Sequence, residues 1–168
     1  NKAGLFAGGY VNLEFGRRSA FQMELEYIQK GSRKNPDHSK DDYDSYLLRL
    51  GYVELPVLYQ FKIKDWLSIE TGPSIGFLFH YYEKVDEQEQ EPNPDFCKVT
   101  YSWNIGINFI ITDRILINFR SNNSLVNIRT DRVTGDVRRF WAYGEYNDIF
   151  ILSVFCRLTK LGKDRSEN

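Results

Sequence analysis

Long stretches of this chain switch between apolar and polar residues at every step. Phe21, Met23, Leu25 and Tyr27 oppose Gln22, Glu24 and Glu26. Over residues 67–79, Leu67, Ile69, Thr71, Pro73, Ile75, Phe77 and Phe79 share one parity, and Ser68, Glu70, Gly72, Ser74, Gly76 and Leu78 share the other. The clearest case is 99–111, where Val99, Tyr101, Trp103, Ile105, Ile107, Phe109 and Ile111 face away from Thr100, Ser102, Asn104, Gly106 and Asn108. Ile115, Ile117 and Phe119 then oppose Asn118 and Arg120. A period of two held this long means a β-strand whose faces meet different surroundings. The pattern predicts seven strands, at about 2–15, 19–30, 45–62, 65–82, 97–111, 114–128 and 147–159. The first, third and last of these alternate less cleanly.

The links between strands come in two kinds that alternate along the chain. Gly16-Arg17-Arg18, Lys62-Ile63-Lys64-Asp65 and Thr112-Asp113 are tight, whereas 31–45, 83–96 and 129–147 are long and polar. Tight turns at one end and long loops at the other, between strands of about ten residues, are the arrangement of an outer-membrane β-barrel.

The chemistry of the two faces says which one looks outward. The polar face carries Gly, Ser, Asn, Gln, Glu and Arg, with Lys confined to loops and strand ends. Small and amide side chains suit a crowded interior, while a water-facing wall normally carries plenty of Lys and Glu. The apolar face is rich in Ile, Leu, Val, Phe, Tyr and Trp, as a lipid-facing band requires. Tyr59, Phe61 and Trp66 beside a tight turn, and Tyr81, Tyr82, Tyr101 and Trp103 near the loop ends, are candidates for two interfacial girdles. A soluble lipocalin-type barrel reverses the assignment, with apolar residues inside.

Composition narrows the reading without changing it. A chain of 168 residues suits one domain, here a barrel over 1–159 followed by a charged tail, 160–168. The formal net charge of −1 gives no basic bias toward nucleic acid. Mean hydropathy is −0.48, and no run of about 18 apolar residues exists to form a transmembrane helix. A barrel is compatible with both, because alternate residues face the lumen. No signal peptide is visible before the first strand, so an exported protein is expected here in a processed or trimmed form. Cys97 and Cys156 fall near opposite ends of their strands, too far apart for a bridge, and are expected as two thiols.

Seven is odd, and single-chain bacterial barrels usually have even strand numbers. The first strand runs into a tight turn and therefore descends; the last follows a long loop and descends too. The expectation is an all-β, antiparallel up-and-down transmembrane barrel of eight strands, seven of them visible, the first missing upstream. A bilayer cannot hydrate an open sheet edge, so something must cover it.

Particular residues carry a family resemblance. Ala3-Gly4-Leu5-Phe6-Ala7 and Gln22-Met23-Glu24-Leu25-Glu26-Tyr27-Ile28-Gln29-Lys30-Gly31 resemble the second and third strands of PorT-family outer-membrane β-barrels. Tyr52-Val53-Glu54-Leu55-Pro56-Val57-Leu58-Tyr59, with Glu70-Thr71-Gly72-Pro73-Ser74-Ile75-Gly76, resembles that family's central hairpin. The usual terminal aromatic is replaced by Arg157-Leu158-Thr159 and the charged tail. The resemblance implies location and fold, and a place in secretion or in larger envelope assemblies for some members.

By parity, Glu24, Glu26, Glu54, Glu70, Arg120 and Arg157 point inward. Eight strands leave a bore that side chains fill, and charges there must pair, so a Glu–Arg network plugging the lumen is expected over a proton or ion path. Pro56 and Pro73 should sit near one another at mid-height, marking a bend or bulge. The acidic segment 83–95 is expected as a solvated charge run rather than a Ca²⁺ loop. Arg129, Arg132, Arg138 and Arg139, with Phe140 and Trp141, surround Thr134-Gly135-Asp136 in an expected hairpin. They either pack against the acidic loop or bind an anionic glycolipid or another protein.

Catalysis has little to stand on. His38 lies in a polar loop, and His80 is placed inward near Thr100 and Ser102 without a flanking acid. No Gly-rich phosphate loop or Cys/His cluster occurs, so neither metal nor cofactor is expected. The expectation is a non-enzymatic, plugged barrel in the outer membrane of a Gram-negative bacterium, with membrane lipids and other envelope proteins as partners. The runner-up is a soluble lipocalin-like barrel, and a lipid-modifying enzyme comes third.

Overall fold

The alternating segments form strands, and the strands form one curled antiparallel sheet. The computed structural model describes residues 3–34, 45–85, 88–90, 95–130, 137–139 and 142–158. In chain order the strands are β1 (Phe6–Glu14), β2 (Ser19–Lys30), β3 (Arg33–Lys34), β4 (Tyr46–Lys64), β5 (Leu67–Val85), β6 (Gln88–Gln90), β7 (Val99–Ile110), β8 (Ile115–Ser124), β9 (Val137–Arg139), β10 (Ala142–Gly144) and β11 (Asp148–Cys156). Seven long strands pair in the order β1-β2-β4-β5-β7-β8-β11, while β3 extends along β4 and β6 along β5. Each tight link closes a hairpin; at the last, Thr112 Oγ1 accepts from the Ile115 amide at 3.0 Å and pins the reversal.

Burial is inverted relative to a soluble protein. Arg120, Asn104, Asn118, Asn122 and Glu54 are fully buried, and Glu24 and Glu70 nearly so. Ile105 is 59% exposed, and Leu25, Val57, Ile69, Phe77, Ile107 and Phe119 join it on the outer wall. A monomeric soluble protein rarely leaves more than a few hundred Å² of contiguous apolar surface exposed. Here such side chains line every long strand, which is the lipid-facing band of a membrane barrel and excludes the lipocalin arrangement. Aromatic clusters mark the turn end, where Phe15 stacks on Phe21 at 5.0 Å and Trp66 on Phe109 at 6.4 Å.

The sheet curls far enough that β2 and β8, which are not ladder neighbours, meet across the interior. Its two edges, β1 and β11, share no ladder among the described residues. They nevertheless approach, with Tyr10 on β1 packed edge-on against Phe155 on β11 at 5.2 Å between ring centres. Both edges descend toward the turn end, so direct closure would have to be parallel; one ascending strand between them restores antiparallel pairing throughout.

Two irregularities shift what parity alone predicts. Gly51 pairs with His80 but Tyr52 pairs with Leu78, so β5 carries one extra residue at Phe79. This bulge flips every side chain beyond it. His80, expected inward, is exposed on the outer wall, and Glu83, expected in a solvated loop, is buried inside. Pro56 and Pro73 do lie close, because Pro56 pairs with Ser74. The cause is not a bulge: the β4–β5 register is unchanged from Pro56↔Ser74 to Tyr59↔Thr71, with the ladder interrupted between them. Pro73, opposite Val57 in that register, has no amide to donate, so the ladder pauses there without slipping; Pro56 does the same to the β2–β4 ladder, which is interrupted between Met23↔Val57 and Glu26↔Glu54.

Candidate lumen network and outer cap

Inward parity on β2, β4, β5, β7 and β8 brings four carboxylates into one space, and Arg120 holds three of them. Its Nη1 and Nη2 donate to the two oxygens of Glu24 at 2.9 and 2.7 Å, a bidentate pair. Its Nε donates to Glu70 Oε1 at 2.8 Å, and Nη1 lies 3.6 Å from Glu26 Oε2. Glu70 is held further by Gln60 at 3.0 Å, Asn108 at 2.9 Å and Asn118 at 2.7 Å. Room for its carboxylate comes from Gly106: a Cβ there would stand 2.7 Å from Glu70 Oε1.

The fourth carboxylate, Glu54, is neutralised by a residue that sequence reasoning did not single out. Lys30 ends β2, and its ammonium reaches Glu54 Oε1 at 2.6 Å and Asn122 Oδ1 at 2.7 Å. Asn122 in turn donates to Asn104 at 2.8 Å. The parity of β2, extended four residues past Glu26, already puts Lys30 on the inner face. Arg157 does not join the network. It lines a small cavity of about 60 Å³ at the turn-side mouth with Asn12, Arg17 and Gln60, because β11 carries it below the level of the glutamates.

Toward the loop end the interior turns apolar, which the alternation of the other strands did not suggest. Ile28, Leu48, Leu50, Tyr52, Phe96, Ile128 and Ile151 form a buried cluster. It is capped by Arg129, whose guanidinium sits 4.5 Å over the Phe96 ring and donates to Glu83 Oε1 at 2.7 Å and Glu145 Oε2 at 3.0 Å. Tyr46 also donates to Glu83 Oε1, at 2.9 Å. Burial works against the Arg129 charge, but the hydrogen bonds to Glu83 and Glu145 outweigh it and hold the group more firmly protonated than usual. Arg129, Glu83 and Glu145 line a cavity of about 860 Å³ together with Tyr46, Leu48 and Ile128.

Arg138 and Arg139 lie on β9, whose ladder with β10 pairs Arg139 with Ala142. Arg132, Thr134, Gly135, Asp136, Phe140 and Trp141 lie outside the described residues, as do His38 and the tail 160–168. His80 stands on the outer wall stacked against Tyr27 at 6.1 Å, while Thr100 and Ser102 are buried inside, so that triad is not formed. Cys97 and Cys156 form no disulfide.

No curated protein and no solved structure matches this chain significantly. A family does match, over residues 1–129, which takes in the lumen carboxylates, Lys30, Arg120 and the capping Arg129. With lipid-facing side chains on every long strand and a charge network inside, this chain belongs to the outer membrane protein beta-barrel domain family.

Proposed function

We propose that this barrel is plugged and non-catalytic, a PorT-like structural and interaction component of a larger secretion or assembly complex in the envelope. The observation that carries the reading is the doubly filled interior. A mesh of Arg120, Lys30, four glutamates and their asparagine partners occupies the turn-side half, and a packed apolar layer lies across the loop-side half. An interior of this kind leaves the outer loops and the seam between β1 and β11 as the surfaces for partners. An eighth, ascending strand at that seam would close the wall with antiparallel pairing throughout.

Two measurements test this. In planar bilayers the purified protein is expected to give no steady large conductance, and sustained channels of porin size would refute the plug. Extracted in mild detergent, it is expected to migrate in an assembly larger than one barrel with its micelle. Migration as a lone barrel, with native loops intact, would refute the complex.

A further inference from the structure

The outer wall carries cations just where the apolar band ends. Arg49 on β4 pairs with Tyr82 on β5. Because of the bulge at Phe79, the even-numbered residues His80, Tyr82 and Lys84 all share the outward face with Arg49. Diagonal neighbours on one face lie roughly 7–8 Å apart, so Lys84 and His80 flank Arg49 on either side of Tyr82. The His80 ring rests over Gly51, where any larger residue would collide with it and with the Tyr27 hydroxyl. Arg49 is exposed and makes no ion pair or hydrogen bond with the described residues, and the buried Glu83 beside it points into the lumen. Glu89 stands opposite Lys84 in the β5–β6 register.

Height identifies the counter-charge. Ten residues of β4 separate Arg49 from Tyr59 at the turn-side girdle. At about 3.3 Å per residue on strands tilted roughly 40°, they cover about 25 Å, the thickness of the apolar band. Arg49 therefore sits at the border of the loop-side leaflet, facing lipid. A cation there without an anion is costly, and on this face the headgroups supply the anions. We propose that Arg49, with Tyr82, Lys84 and His80, docks the phosphate of a lipid in the outer leaflet. The guanidinium takes two phosphate oxygens at once, Lys84 adds a point charge, and the Tyr82 hydroxyl donates between them. The site does not depend on whether the lumen is plugged.

The test is native mass spectrometry of the full-length protein in nonionic detergent, titrated with phosphatidic acid or with diacylglycerol of the same chains. Phosphatidic acid is expected to be retained about tenfold better. The Arg49→Gln, Lys84→Gln double variant is expected to lose that preference, while Lys62→Gln, at the turn side, keeps it. Equal retention of the two lipids by the unaltered protein would overturn the proposal without need of any variant. So would an undiminished preference in the double variant, whose folding is checked by its migration ahead of the boiled form on a gel. Inorganic phosphate retained as strongly as phosphatidic acid would overturn the lipid as the source of the anion.

Discussion

Replacing Arg120 by Met asks whether the lumen is a dry, paired interior. The side chain is fully buried, and the change removes the bidentate pair to Glu24, the 2.8 Å bond to Glu70 and the 3.6 Å contact with Glu26. Within this network four glutamates face two cations, Arg120 and Lys30, so the variant leaves four carboxylates against one ammonium. Breaking a buried ion pair by deleting one partner costs about 3–5 kcal/mol, whereas an exposed pair is worth less than about 1 kcal/mol. The expected loss is about 4 kcal/mol. Guanidinium unfolding of the micelle-bound barrel, followed by tryptophan fluorescence, reads it as a midpoint lowered by about 1 M, taking a slope of about 4 kcal/mol per M. Adding Glu24→Gln and Glu70→Gln is expected to recover about half of the loss, since the stranded charges then disappear. A midpoint within about 0.2 M of the unaltered protein would mean that water already compensates these groups, and the packed-lumen argument would fail.

Four further outcomes follow from the same geometry. Gly106→Ala puts a methyl against the Glu70 carboxylate, and its expected cost is about 1–3 kcal/mol, measured by the same unfolding curve. Arg129→Ala releases Glu83, Glu145 and the Phe96 ring together; limited proteolysis should nick the loop-side segments faster, while the lumen-dependent unfolding midpoint moves less than for Arg120→Met. Brominated acyl chains are expected to quench Trp66 and Trp103, which stand on the outer wall at half exposure or slightly less, and unquenched emission from both would contradict the lipid-facing assignment. Reducing agent is expected to leave gel mobility unchanged, since the two cysteines are not bridged.

The lumen glutamates were legible before any coordinates. A strand alternates with period two, so Glu24, Glu26, Glu54, Glu70 and Arg120 share the inner face whatever the curvature of the sheet. The asparagines at 104, 108, 118 and 122 lie on that same parity and could have been read as their hydrogen-bond partners. The link lengths likewise placed three turns at one end and three loops at the other, and with them the class of the barrel. Parity, however, is a local rule that holds only until a residue is inserted. The extra residue at Phe79 turned His80 outward and Glu83 inward, and nothing in the alternation of β5 marks the spot. Closing distances are also beyond a one-dimensional pattern. That Lys30 meets Glu54 while Arg157 stops at the turn-side mouth, and that Arg129 caps an apolar layer, depends on how far the sheet curls and how its strands are staggered. Alternation says which way a side chain points; only the curvature that carries β8 across to β2 decides what it meets there.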